Sequence, residues 1–205
     1  LKERLLRLKE KDFKLDVPVE ALSLAENMFK YIGIIDPELR DDLIYSAFYY
    51  FIVKYEYYNG EILKSYVKVV LDDNHLFYGI GNKNDDSVFT RTFSALVLAL
   101  LIYQHNVKPF LSIEEIKEIK EKSVNYYNSE VDLRGYDDIK GWAHSAAHGA
   151  DIFEELANSN ELNNDDLKDI LDAIYNKIII PSYAYIDLED ERMVTPILNM
   201  IKRKD

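Results

Sequence analysis

The chain contains no cysteine. A disulfide framework, a thiolate metal site and a cysteine nucleophile are therefore excluded. The absence fits a reducing compartment, and a cytoplasmic location is expected. Glycine and proline are sparse, at 7 and 5 in 205 residues. A β-sandwich needs many tight turns, so this shortage argues for helices. Positive charge is short too: 25 Lys and Arg stand against 37 acids, for a formal net charge of −12. Neutralising phosphates takes a basic surface. Nucleic acid and an anionic membrane are therefore not expected as partners, while cations, basic partners and neutral ligands stay open. The longest apolar stretch, FSALVLALLIY, falls short of the roughly 18–20 residues that cross a bilayer and reads as a buried helix. No signal peptide is visible. The chain starts at Leu1 rather than Met, which leaves a preceding segment open.

What is present is a globular balance, 48% hydrophobic and 30% charged. That is enough for one substantial core, and a single helical domain over residues 1–205 is expected. Sixteen tyrosines either line a groove or sit at helix rims.

Helix punctuation recurs along the chain. Leu1–Phe13 has apolar residues at helical spacing, and a second helix over Pro18–Ile32 stops at Gly33. Asp36 reads as an N-cap with Pro37 at the first helical position, and that helix closes at Asn59-Gly60. A helix over Glu61–Leu71 precedes the loop DDNHLFYGIGNKNDD. Asp86 opens the most apolar helix, to about Gln104, and Ser112–Glu115 is a capping box opening one to about Tyr127. After the loop NSEVDLRGYDD, Asp137 or Asp138 caps a helix to about Ala157. Asn164–Ile179 is another helix, and the last runs from about Leu188 toward Lys202 with Pro196 as a kink. The only β-like run, KIIIPSYAYI, is interrupted by Pro181. About nine helices joined by short loops predict an all-α fold of stacked antiparallel helix pairs. Such a fold is HEAT-like, an α-α superhelix, without a clear sequence period.

The stretch KGWAHSAAHGAD, residues 140–151, carries the chemistry. On a helix over 138–157, Ile139, Trp142, Ala143, Ala146, Ala150, Phe153 and Ala157 share one side. His144, His148, Asp151 and Glu155 share the other. Imidazoles one turn apart chelate a divalent ion, and a carboxylate one turn on serves as third ligand or orients a ring. The same groups transfer protons. The plainer reading is a solvated polar face. The HExxH of zinc proteases is absent, because Ser145 stands where its Glu would be. Arg91, inside an apolar run, needs a partner because an unpaired buried charge is costly. Arg40, Asp41, Arg91, Arg134, Lys140, Glu191 and Arg192 either line a ligand groove with Trp142 or tie helical layers together.

Four stretches in order, IGIIDPELRDDLIYSAF, VFTRTFSALVLALL, RGYDDIKGWAHSAAHGAD and EDERMV, resemble an uncharacterised bacterial family. It is a domain of unknown function found in low-GC Gram-positive bacteria. The resemblance spans about residues 30–200 and implies an all-α, intracellular protein with no agreed activity. The positions that match its motifs are Arg40, Asp41, Arg91, Arg134, Gly135, Lys140, Gly141, Trp142, His144, His148, Gly149, Ala150, Asp151, Glu191 and Arg192. Two functions are thus expected. One is a groove where His144, His148 and Asp151 hold a divalent metal or exchange protons, with Glu191 as a further ligand or base and Arg and Lys gripping an anionic ligand. The other is a HEAT-like scaffold for a peptide or protein partner.

Overall fold

The computed structural model describes residues 1–203. It is all-α apart from one short hairpin. Helices α1 (Lys2–Lys9) and α2 (Glu20–Lys30) come first. Then α3 runs over 38–54, with wide π-helical turns at Glu38–Tyr45 and Tyr50–Lys54 flanking an α-helical Ser46–Tyr49. There follow α4 (Gly60–Val70), α5 (Ser87–Val107) and α6 (Ile113–Ser129). Strands β1 (Tyr136–Asp137) and β2 (Gly141–Trp142) pair antiparallel, and α7 (Ser145–Ala157), α8 (Asn164–Ile178) and α9 (Glu189–Lys202) complete the fold.

Two of the expected caps are in place, whereas Asp86 makes no side-chain cap bond and Asn59, expected to close α3, caps α4 instead. The Asp36 carboxylate accepts from the Leu39 amide at 3.2 Å. Ser112 and Glu115 exchange side-chain-to-backbone hydrogen bonds in the capping box, and Asn163 with Asp166 forms a second one. Packing is by pairs: α5 on α7, α7 on α9 and α6 on α8. One hydrophobic cluster runs from Leu5 to Met193. At its centre α5 is long and apolar enough to cross a membrane, yet 89% of its apolar window is buried inside the protein. Its charge, Arg91, is fully buried.

Two boundaries depart from expectation: α3 ends at Lys54, short of Asn59-Gly60, and a second departure, at the start of α7, positions the site. The helix begins at Ser145, not at Asp137 or Asp138. The Asp137 carboxylate accepts the amides of Ile139 and Lys140 at 2.9 and 2.8 Å, which turns the chain instead of capping a helix. Gly141 then sits at φ +73°, where a side chain would be strained, and its bare Cα faces Pro37. The hairpin pairs Tyr136 with Trp142 and Asp137 with Gly141. Ile139 and Trp142 therefore leave the predicted core stripe: Ile139 is exposed at the tip and Trp142 half-buried. Ala143, Ala146, Ala150, Phe153 and Ala157 are buried as expected. The polar face is not bathed in solvent either, because α5 and α9 close over it and bury His148 and Asp151.

Candidate functional site

His144 is the residue between hairpin and helix. It adopts φ +50° and ψ +39°, the left-handed region that non-glycine residues seldom enter. Its amide donates to the Arg134 carbonyl at 2.8 Å, and its own carbonyl accepts the His148 amide at 2.9 Å. The ring stacks on Trp142 at 4.6 Å and 23°, and meets His148 edge-on at 5.5 Å. His144 Nε2 lies 3.0 Å from the Asp187 carbonyl oxygen. A carbonyl only accepts, so Nε2 carries the proton of the neutral ring and Nδ1 is left as an acceptor. Behind it, 3.8 Å from Nε2, is the fully buried Glu189 carboxylate. One Glu189 oxygen takes the Asp187 amide at 2.9 Å, and the other has no partner.

His148 is one turn on, 8% exposed, with its Nδ1 also without a partner and its ring edge-on to Phe93 at 5.5 Å. Together these rings line a cleft of about 610 Å³ with Asp41, Tyr45, Leu96, Trp142, Asp187, Leu188, Glu191 and Arg192. Leu188, like His144, has a positive φ, at +64°. Strained backbone thus stands on both sides of one cleft. Residues held this way cost of order 1–3 kcal/mol each and cluster at functional sites. The 187–189 segment reaches the cleft because Gly135 has no side chain: a Cβ there would meet the Asp187 carboxylate at 1.9 Å. A second cleft of about 710 Å³, around Gly33, His75 and Ser87, offers less chemistry. Its His75 is paired with Asp72 at 2.7 Å, and its Asp86 with Lys140 at 2.6 Å.

The expected site residues divide. Asp41, Trp142, His144, His148, Glu191 and Arg192 come together at the cleft. Arg91 does not: it is clamped by the Glu130 carboxylate at 2.5 and 3.0 Å and donates to the carbonyls of Tyr78 and Gly79. Arg134 is held by Asp132 at 2.7 Å, and Lys140 by Asp86. Arg40 is buried beneath the hairpin, sandwiched by Phe89 and Phe93 at 4.2 and 4.8 Å. It donates to the carbonyls of Ile34, Lys140 and Trp142. Burial pushes its pKa down to about 10, so it stays charged at neutral pH. The contacts of these four tie together the hairpin, the loop after α4 and the helix layers.

Asp151 borders the cleft, but both its oxygens accept from Arg192, at 2.5 and 2.9 Å from one oxygen and 2.5 Å from the other. Among the described residues, no three His, Asp or Glu side chains gather into a metal-holding group. Sequence reasoning missed Tyr45, Leu96, Asp187 and Leu188. Tyr45 carried a signal, standing one helical turn after Asp41. The other three had none, because only the tertiary fold brings them to the histidines.

The model for the family described as Protein of unknown function (DUF2785) matches residues 76–205. The chain belongs to that family. No curated protein and no solved structure matches it. The matched residues begin at 76, whereas the resemblance was expected to span about 30–200. The DUF2785 segment contains both histidines, Trp142 and the 187–192 segment, whereas Asp41 and Tyr45, the opposite wall, precede it.

Burial holds the His148 ring well below the usual histidine range, and the charges of His144, Arg192 and Arg40 act in the same direction. Burial lowers His144 too, partly offset by Glu189. An unfolded histidine takes up a proton near pH 6.5, while folded His148 does so only at lower pH. Below about pH 6.5 the unfolded state binds more protons, so acid removes stability, by at most about 1.4 kcal/mol per pH unit for this ring. Glu155 has the opposite sign. Burial and Glu154 raise it to about 7, so its share of stability is lost as pH rises through the window between 4.5 and 7. The comparison that isolates His148 is therefore wild type against His148→Leu. Urea midpoints taken from pH 7 to pH 5 should fall more steeply in wild type. Parallel curves would contradict a neutral His148.

Proposed function

We propose that the cleft over His144 and His148 binds a small polar ligand, which meets both imidazoles in their neutral form. One observation carries this: two histidines line one cleft, and His148 is nine-tenths buried there with no hydrogen bond to its Nδ1. A buried unsatisfied polar atom costs about 1–3 kcal/mol, and strain at His144 and Leu188 adds to that. His144, with its tautomer set by Asp187 and a carboxylate behind it, is the group suited to exchange a proton with that ligand. A divalent ion on His144, His148 and Asp151 would instead require Arg192 to release Asp151. The HEAT-like scaffold reading uses the same groove, which continues past Arg192 along Tyr49 and Tyr103.

Ligand-observed NMR with a library of small polar fragments tests the site. Leu96 lines the cleft and its continuation, so Leu96→Trp fills both. Fragment signals should broaden with wild type and not with Leu96→Trp. An absence of hits, or hits that survive in the filled variant, would remove the cleft as a binding site. Stoichiometric Zn²⁺ uptake that disappears in His144→Ala would replace this reading with the metal one.

A further inference from the structure

The cleft does not end at Arg192. Tyr45, Leu96 and Arg192 are shared with a second compartment of about 240 Å³, whose other walls include Tyr49, Tyr103, Glu154 and Glu155. The two compartments adjoin at these three residues. Their acids, Asp41, Asp187 and Glu191 in the inner part and Glu154 and Glu155 in the outer, make no ion pair among the described residues. Among the described residues the one cation in the lining, Arg192, is committed to Asp151. Two neutral imidazoles and three tyrosine hydroxyls can accept hydrogen bonds, and the Trp142 indole N–H donates one. The unpaired acids favour a ligand that brings positive charge.

We infer that the groove takes a linear di- or polyamine. This rests on the cleft being a ligand site. The distribution of the acids sets the shape of the ligand: they are divided between two adjoining compartments, and among the described residues no three gather into a metal-holding group. Ammonium groups on a flexible alkyl chain match such a row. The tyrosines suit the same ligand, because aromatic faces attract ammonium ions and alkyl spacers pack on them. Tyr45 keeps its proton, since burial pushes its pKa up to about 12. Glu154 and Glu155 are adjacent, with Glu155 held up near 7 by burial and by its neighbour. A bound ammonium relieves that repulsion and draws Glu155 into its charged form.

Calorimetric titration with spermidine and cadaverine tests the inference, with 1,5-pentanediol as an uncharged match to cadaverine. Saturable one-to-one binding of both amines is expected, with none for the diol. Glu154→Gln combined with Glu155→Gln should weaken spermidine binding at least tenfold. A chain of net charge −12 also attracts polycations loosely, so the control removes two exposed acids elsewhere, Glu10→Gln with Glu121→Gln. Equal weakening in both double variants, or no saturable binding in wild type, overturns the amine assignment. If fragments still bind wild type but not Leu96→Trp, the cleft stands and only the ligand class falls. If fragments fail as well, both fall.

Discussion

Replacing Glu130 with alanine is expected to cost roughly 3–5 kcal/mol, the range for stranding one partner of a buried ion pair. For a chain of this size that lowers Tm by roughly 6–20 °C. Arg91 is fully buried and Glu130 nearly so, joined by two charge-assisted hydrogen bonds. Glu130 also accepts the Asp132 amide at 2.9 Å. Without the carboxylate, a guanidinium stays in the core with only the carbonyls of Tyr78 and Gly79 and the Ser87 hydroxyl around it. Removing both charges in Arg91→Met/Glu130→Leu should recover part of the loss, since the desolvation cost disappears with the pair. The recovery stays incomplete because Arg91 also ties down the loop after α4. Urea denaturation of the three variants measures this, and a loss under about 1 kcal/mol in Glu130→Ala would show that water reaches Arg91.

The second large effect is at Gly149. In an ordinary helix interior, Gly→Ala stabilises by roughly 0.5–1 kcal/mol. Here the sign should reverse. An added Cβ would meet Tyr127 Cδ2 and Cε2 at 2.4 and 2.6 Å. That ring cannot swing away easily: it is buried, packs on Phe153 at 4.9 Å and donates its hydroxyl to the Ala146 carbonyl at 3.0 Å. Overpacking of this kind costs about 1–3 kcal/mol, which exceeds the propensity gain. Gly149→Ala should therefore unfold at lower denaturant than wild type. A stabilised variant would mean that α6 and α7 separate to admit a methyl group.

Much of the fold was legible from local signals. Asp36-Pro37 opens α3, Ser112 with Glu115 opens α6, and the shortage of glycine and proline points to an all-α chain. The need of Arg91 for a partner was legible as well, though not which acid supplies it. The site was legible only in part. Both histidines, Trp142, Asp41, Arg192 and Glu191 were candidates from the sequence, but the helix carrying His148 starts seven residues later than its sequence pattern allows. Asp137 misled, because the same side chain caps helices and closes turns, and the choice fell to the buried Arg40 and to Gly141 at positive φ. Wheel geometry counted Trp142 as core, whereas the hairpin brings it to stack on His144.

By itself the sequence determined the class of structure and the helices, because helix caps, turn residues and apolar spacing act within a few residues of one another. It also determined the overall negative charge that now bears on the ligand class. Only the tertiary structure decided which polar groups remain free. Pairings such as Arg91 with Glu130, 39 residues apart, and Arg192 with Asp151, 41 apart, settle that. Whether a charge is spent on the fold or left for a ligand depends on what packs beside it, and spacing along the chain does not encode that.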